Sequence, residues 1–263
     1  MKKLTRRELG ALVGAGMVAR VRPAAASSAM RPGVVGVASC GATDAGSIAA
    51  NEARAVVASA LERAVGVEGG ARAASALFKS SDTVAIKVNC LAGKAMSPRV
   101  ELVEALVDLV ADAGVDRRRI IVFERSSREL ERAGFTIRRS GPPYVCIGTD
   151  NDYQRRPSTS GAIGSCFATL VATGCTALVS FGVVKDHDLS GISAGMKNWY
   201  GVIHNPNKYH DNGCDPYIVD VARHPFIAGK LRLTVLDGVR RSSIWPGWRR
   251  APIPWPSMPG LGR

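Results

Sequence analysis

The chain has 263 residues, of which 46% are hydrophobic and 22% are charged, a composition typical of a folded globular protein that excludes extensive disorder. Its formal net charge of +13 would suit nucleic acid, but residues 1–26 hold six basic residues against one acidic residue, and residues 240–263 hold five and none. A nucleic-acid-binding domain would concentrate this charge on its folded surface, so we predict no nucleic-acid partner. No apolar stretch is long enough to cross a bilayer, so we expect no membrane span in the mature protein.

Residues 1–26 have the features of an export signal. A basic start precedes a short, glycine-rich apolar stretch, and small residues follow at 24–27. Arg6 and Arg7, followed by Glu8 and Leu9, resemble the twin-arginine signal. This predicts the twin-arginine export machinery as a partner and a periplasmic or secreted location. An amphipathic N-terminal helix is the alternative, which the glycines disfavour.

A second, competing signal lies at residues 37–40, where Val-Ala-Ser-Cys resembles a lipobox that would make Cys40 a lipidated N-terminus. Arginines and a proline separate these residues from the apolar stretch of the signal. We therefore favour a first buried β-strand over residues 34–38.

The rest of the chain alternates apolar strands with amphipathic helices. The predicted strands cover residues 34–38, 83–88, 119–123, 144–147, 176–184 and 231–236, and the predicted helices cover residues 48–65, 100–114, 128–133, 192–203 and 216–222. This alternation predicts one α/β domain over residues 27–239, with a mostly parallel sheet covered by helices on both faces, a Rossmann-like three-layer arrangement. Residues 240–263 are rich in Pro, Trp and Arg and predict an irregular tail.

Polar residues follow four of the predicted strands. Lys87 and Asn89 end one strand, Glu124 follows the next, Lys185-Asp186-His187 follows a third, and Asp237 ends the last. The carboxyl ends of parallel strands meet at one edge of a sheet, where ligands of open α/β proteins bind. We therefore predict a crevice at this edge that binds a small anionic ligand.

A second polar segment runs from Lys197 and Asn198 to His204, His210 and Cys214. Histidine with carboxylate suits either a divalent metal or acid–base chemistry near neutral pH, and the spacing matches no zinc signature. We predict catalytic roles for Lys185, Asp186, His187 and Lys197. We predict ligand binding by Lys87, Asn89, Asn198 and Asp237. If a metal binds, its ligands would be His187, His204, His210 and Cys214, although hydrogen bonding within an irregular loop is the alternative for His204 and His210.

Six cysteines occur without a C-x-x-C pair, so the chain has no iron–sulfur motif of the ferredoxin type. Some of them would pair outside the cytoplasm, whereas Cys166 and Cys175 lie in apolar surroundings that predict buried thiols. A divalent metal is the one cofactor that the residue set suggests.

Four motifs in order resemble the bacterial domain of unknown function 362 family: Lys87-Val88-Asn89 and the segments at residues 128–135, 183–187 and 195–201. The resemblance implies an α/β fold, and exported members of that family often carry twin-arginine signals. It implies no established reaction. Family members usually continue past the strand at Asp237 with a different segment, so the end of this chain resembles a shortened one.

Three hypotheses follow. The chain is an exported enzyme or redox-associated binding protein acting on a small anionic ligand, a non-catalytic periplasmic accessory module, or a truncated inactive copy. The exposed tryptophans of the tail would anchor a partner in the second case.

Overall fold

The computed structural model describes residues 33–40 and 48–238. Its centre is a five-stranded sheet, whose strands are β1 Val84–Val88, β2 Ile120–Glu124, β3 Val145–Gly148, β6 Ala177–Val183 and β9 Leu231–Asp237. Their order across the sheet is β3-β2-β1-β6-β9, and every neighbouring pair is parallel. The predicted export signal, and all of the predicted tail beyond Gly238, lie outside the described residues.

One face of the sheet carries a layer of α-helices. These are α1 Ala50–Val65, α2 Gly70–Leu77, α3 Val100–Asp112 and α4 Ser127–Ala133. The apolar stripe of α3 is buried from Leu102 to Val110 against the sheet, as the 3.6-residue periodicity predicts. Gly134 ends α4 with a left-handed backbone (φ 98°), a conformation that costs glycine little.

The opposite face carries a less regular layer. It contains the hairpin β4 Ser158–Ser160 and β5 Ile163–Ser165, a π-helical turn Leu170–Gly174, 3-10 turns Lys197–Val202, Pro206–Tyr209 and Asp211–Cys214, and the helices α5 Tyr217–Arg223 and α6 Pro225–Ala228. A short hairpin of β7 Lys185–His187 and β8 Gly191–Ser193 follows β6 at its carboxyl end. The predicted three-layer α/β fold is therefore confirmed, with helices on both faces.

Alternation along β1 explains why the chain needs both layers. All of its residues are buried, with Val84, Ile86 and Val88 in the core beneath α1–α3 and Ala85 in the core of the second layer. A strand that is apolar on both faces is stable only where both faces are covered.

Two predicted elements are wrong. Residues 34–38 form no strand, and Val35 and Val37 are 73% and 68% exposed, because the segment runs along the outside of α1 instead of pairing with the sheet. Residues 192–203 form β8 and a 3-10 turn in place of an α-helix. The reason is close packing: a Cβ on Gly195 would lie 2.4 Å from Thr234 Cγ2, and one on Gly201 would lie 2.7 Å from Lys87 Nζ.

Several elements were not predicted from sequence, namely α2, the two hairpins and α6. All are short, and short elements carry too few residues for a clear hydrophobic period. All six cysteines are free thiols. The prediction of a buried thiol is confirmed for Cys175 and wrong for Cys166, which is partly exposed. Within the described ranges, no helix is long and apolar enough to cross a membrane.

Candidate functional site

Lys87, at the end of β1, is buried in a closed polar network. Its ammonium nitrogen donates to Glu124 Oε1 at 2.5 Å, to the Val88 carbonyl at 2.6 Å and to Asn198 Oδ1 at 3.2 Å. A lysine ammonium has three N–H donors, so all of them are used within the protein. Glu124 is equally satisfied, because it also accepts from the backbone N–H groups of Cys90 and Arg125 at 2.7 Å each.

Asn198 ties this network to the second layer. Its Nδ2 donates to the Lys87 carbonyl at 2.9 Å and to Ser180 Oγ at 3.0 Å, and Ser180 Oγ donates to the Gly195 carbonyl at 2.9 Å. These bonds join β1, β6 and the turn that begins at Lys197. The network therefore holds the turn against the carboxyl ends of the two central strands.

Lys185 lies on the hairpin that follows β6 and is partly buried. Its Nζ donates to Asn89 Oδ1 at 3.1 Å and reaches the Met96 carbonyl at 3.5 Å, both of which are neutral acceptors. Burial lowers the pKa of Lys185, an effect that the nearby Glu124 charge opposes.

Lys197 opens the 3-10 turn and is 8% exposed. Its Nζ lies 3.2 Å from His210 Nε2, 3.8 Å from Cys214 Sγ and 4.2 Å from the centre of the Tyr200 ring. These groups are an imidazole, a thiol and an aromatic ring, and no ion pair found among the described residues includes Lys197. Burial lowers the pKa of Lys197, and the neighbouring Cys214 opposes that shift.

Two histidines, one of them the His210 that Lys197 contacts, line a cavity beside this cluster. The rings of His187 and His210 stack with centroids 5.9 Å apart, and both line a cavity of about 420 Å³ together with Met96, Asp186, Asp188 and Leu189. His187 Nδ1 accepts from the backbone N–H groups of Leu189 and Ser190 at 3.2 and 3.3 Å, which assigns its proton to Nε2 in the neutral ring. Burial and then the charge of Lys197 lower the pKa of His187.

These lysines and histidines, with the asparagines that join them, lie within the part of the chain that matches a known family. Residues 84–257, about two thirds of the chain, match the family described as Domain of unknown function (DUF362). The chain belongs to the DUF362 family. Among curated proteins, none matches it. The match begins at β1 and includes all five strands of the main sheet.

The structure of this DUF362 member brings most of the predicted site residues together. Lys87, Asn89, Lys185 and Asn198 meet at the carboxyl ends of β1 and β6, and Lys197, His187, His210 and Cys214 form the adjoining cluster. Asp237 lies at the end of β9, where its Oδ2 accepts from the Arg99 backbone N–H at 2.9 Å. Asp186 is exposed and lines the cavity.

His204 lies outside the cluster, since its exposed ring packs edge-on against Tyr153. Among the described residues of this DUF362 chain, no group of three or more His, Cys, Asp or Glu side chains is arranged to hold a metal ion. Between His210 Nε2 and Cys214 Sγ lies the Lys197 ammonium, a positive group already in place. A metal at His187, His204, His210 and Cys214 stays a prediction.

Sequence reasoning assigned no role to Tyr200, Ser180 or Met96. Tyr200 follows Lys197 by three residues, the spacing of one 3-10 turn, and this was the available signal. Ser180 lies inside a buried apolar strand and Met96 in a loop, and neither position differs in sequence from an ordinary structural residue.

A larger cavity of about 560 Å³ lies at the end of β3, lined by residues 147–152 and Arg139. It contains none of the predicted site residues of this DUF362 member. The Asp150 carboxylate there accepts from the backbone N–H and the hydroxyl of Ser127 at 2.9 and 2.8 Å, so it serves to hold the start of α4. We assign no function to this cavity.

Proposed function

We propose that the crevice at the carboxyl ends of β1 and β6 binds a small anionic ligand, with Lys185 and Lys197 supplying positive charge and His187 and His210 supplying acid–base groups. The carrying observation is the contrast among three buried or partly buried lysines. Lys87 is paired with Glu124, whereas none of the ion pairs among the described residues includes Lys185 or Lys197. A desolvated ammonium beside uncharged groups gains most from an incoming anion.

The size of the cavity that His187 and His210 line supports a ligand of metabolite scale. Lys185 and Lys197 do not line this cavity but contact residues that do, Met96 and His210 respectively. A volume of about 420 Å³ lies within the range of roughly 300–1,000 Å³ that is usual for small-molecule sites. The two histidines at its wall have opposite hydrogen-bonding roles. His187 has its proton on Nε2, and His210 Nδ1 lies 3.0 Å from the Pro206 carbonyl, which assigns the proton to Nδ1 and leaves Nε2 as an acceptor. His187 Nε2–H is therefore a hydrogen-bond donor, and His210 Nε2 has the lone pair of a general base.

The experiment is a thermal-shift titration of the purified chain with phosphate, citrate and pyruvate. We expect at least one anion to raise Tm, since a ligand that binds the folded state alone stabilises it. Lys185→Met and Lys197→Met should each lower the affinity for that anion by about tenfold or more, which is the effect of losing a hydrogen bond to a charged group.

Lys208→Met is the matched control, because Lys208 is exposed in the neighbouring turn. It should leave the affinity unchanged. If no anion raises Tm, or if all three variants bind equally well, the crevice is not an anion site. The two other hypotheses, a non-catalytic accessory module and a truncated inactive copy, would then remain.

We also propose that residues 1–26 direct export through the twin-arginine pathway, so that the folded domain acts in the periplasm or outside the cell. The sequence of those residues supports this, since Arg6 and Arg7 precede a weakly apolar stretch. Fractionation of cells expressing the full chain should find it exported, and Arg6→Lys with Arg7→Lys should retain it in the cytoplasm. The control pair Arg20→Lys with Arg22→Lys should be exported normally. Equal export of both pairs would overturn this proposal.

A further inference from the structure

Exposed apolar side chains are distributed unevenly over the molecule. Among the described residues, eight large apolar side chains are exposed, and three of them lie in the segment that runs along α1. The other five lie in strand ends and loops at the carboxyl edge of the sheet, and we call them the apolar rim: Leu91, Leu189, Ile192, Met196 and Leu236. Clustered apolar side chains that face water mark an interaction surface.

Packing places the rim residues of the β7–β8 hairpin and of β9 on one surface. Ile192 lies on β8, and Met196 follows Gly195, on which a Cβ would be only 2.4 Å from Thr234 Cγ2 of β9. Thr234 and Leu236 are two residues apart on β9 and therefore project from the same face of the strand. The turn that carries Met196 thus packs on the face of β9 from which Leu236 projects.

Negative charge lies between these apolar side chains. Asp186 and Asp188 are both exposed, and no ion pair among the described residues includes either of them. Asp186 is the cross-strand partner of Ile192, and Asp188 directly precedes Leu189. An apolar surface with carboxylates at this spacing is complementary to a segment that combines apolar and basic side chains.

The chain supplies such a segment directly after β9. Residues 239–263 contain five arginines and no acidic residue, together with three of the four tryptophans of the protein. They lie outside the described residues, but their point of attachment does not, since β9 ends at Asp237, one residue after the rim residue Leu236. Trp245 comes eight residues after Asp237, a length that extends over up to about 28 Å. The rim is therefore within reach of the tryptophans.

We propose that residues 244–255 bind the apolar rim of their own chain, with their three tryptophans packed on its apolar side chains. Arg249 and Arg250 then face the carboxylates of Asp186 and Asp188. Tryptophan and arginine are the side chains that most often anchor protein interfaces. Covalent attachment favours this segment over a second copy of the chain, because a linked segment has an effective concentration on the order of millimolar.

The bound segment also borders the cavity that His187 and His210 line. Asp186, Asp188 and Leu189 belong to the wall of that cavity, so a segment that covers them narrows its opening. The contact itself needs no ligand, and it is therefore independent of the proposed anion site.

Photo-crosslinking of the full-length chain tests this contact. Met196 is replaced by p-benzoylphenylalanine, which on irradiation inserts into C–H bonds of neighbouring groups, and peptide mapping by mass spectrometry locates the product. An equal mixture of unlabelled and ¹⁵N-labelled protein distinguishes cross-links within one chain from cross-links between chains. We expect cross-links to residues 244–255 within one chain. The same probe at Val35, which is 73% exposed beside α1, is the matched control and should give none.

Charge reversal tests the contacts between the arginines and the aspartates. Asp186→Arg with Asp188→Arg should lower the yield of this cross-link several-fold, because the substitution brings like charges together. Adding Arg249→Asp with Arg250→Asp should restore the yield.

Glu68→Arg with Glu131→Arg is the control for this reversal, since it changes the net charge by the same amount at exposed positions in the helical layer. It should leave the yield unchanged. Cross-links that join labelled to unlabelled chains would show that a second copy covers the rim. Absence of cross-links to residues 244–255 from Met196 and from a second probe position, Leu236, would show that the rim does not bind this segment. Either result overturns the inference, and a yield that charge reversal does not change overturns the pairing of the arginines with the aspartates.

Discussion

Two polar regions lie side by side at the same edge of the sheet and differ in how their lysines are compensated. In the first, Lys87 is paired with Glu124 and every donor of its ammonium is used. In the second, Lys197 lies against His210, Cys214 and Tyr200, which are uncharged or aromatic partners. Both lysines are buried, at 1% and 8% exposure. Burial alone therefore does not show whether a lysine is paired with a carboxylate.

The polar network around Lys87 supports the cluster around Lys197. Asn198 follows Lys197 directly in the chain and bonds to Lys87. The polar network around Lys87 therefore fixes the turn that carries Lys197. Such a base limits how far the side chains that project from the turn can be displaced.

The largest expected effect on stability comes from removing Lys87 from its polar network. Lys87→Met leaves Glu124 as an uncompensated buried charge and should lower the free energy of unfolding by about 3–5 kcal/mol, with a fall in Tm of about 10 °C. Urea and thermal denaturation measure both quantities. Arg117→Met is the matched control, since Arg117 and Asp108 form an exposed ion pair at 2.8 Å whose loss should cost less than about 1 kcal/mol. Equal losses in the two variants would show that the buried Lys87–Glu124 pair matters no more to stability than an exposed ion pair.

The same substitution at Lys197 should have a much smaller effect on stability. Lys197→Met should change stability by no more than about 1 kcal/mol at neutral pH, because it removes a desolvated charge together with its weak contacts. The folded-state pKa of Lys197 lies below its ordinary value of 10.5, so the unfolded chain binds the proton more tightly. The destabilisation by Lys197 is therefore full below the folded pKa and disappears as pH rises toward 10.5.

Stability of the wild type relative to Lys197→Met should thus improve as pH increases through that window. Urea denaturation of both proteins at a series of alkaline pH values measures this difference. A constant difference would show that Lys197 is an ordinary solvated cation, and a difference that moves in the opposite direction would show that the fold stabilises its charge.

The smallest effect concerns His187. Burial and the nearby charge of Lys197 place its pKa below 6.5, so the folded-state penalty for charging His187 is absent above 6.5, grows as pH falls below 6.5 and is full below the lowered pKa. NMR titration of the histidine ring protons should find a resonance with a midpoint below 6.5 that disappears in His187→Gln. In Lys197→Met this midpoint should rise, since a positive neighbour has been removed. If the substitution leaves the midpoint unchanged, the charge of Lys197 does not influence the titration of His187.

Much of the fold and part of the site were predictable. The positions of α1, α3 and the five main strands follow from hydrophobic periodicity, and the meeting of Lys87, Asn89 and Lys185 follows from the rule that parallel strands end at one edge. The turn at residues 197–202 was not predictable as a 3-10 turn, because its conformation depends on how closely Gly195 and Gly201 approach Thr234 and Lys87.

By itself the amino-acid sequence determined the alternation of strands and helices and the edge of the sheet at which polar groups gather, since both depend on local periodicity and chain direction. Tertiary structure alone decided which lysine is neutralised. Lys87 finds its carboxylate 37 residues away and its amide 111 residues away, whereas Lys197 packs against a histidine only 13 residues later. Charge compensation depends on separations of a few ångströms between distant parts of the chain, and sequence spacing does not encode them.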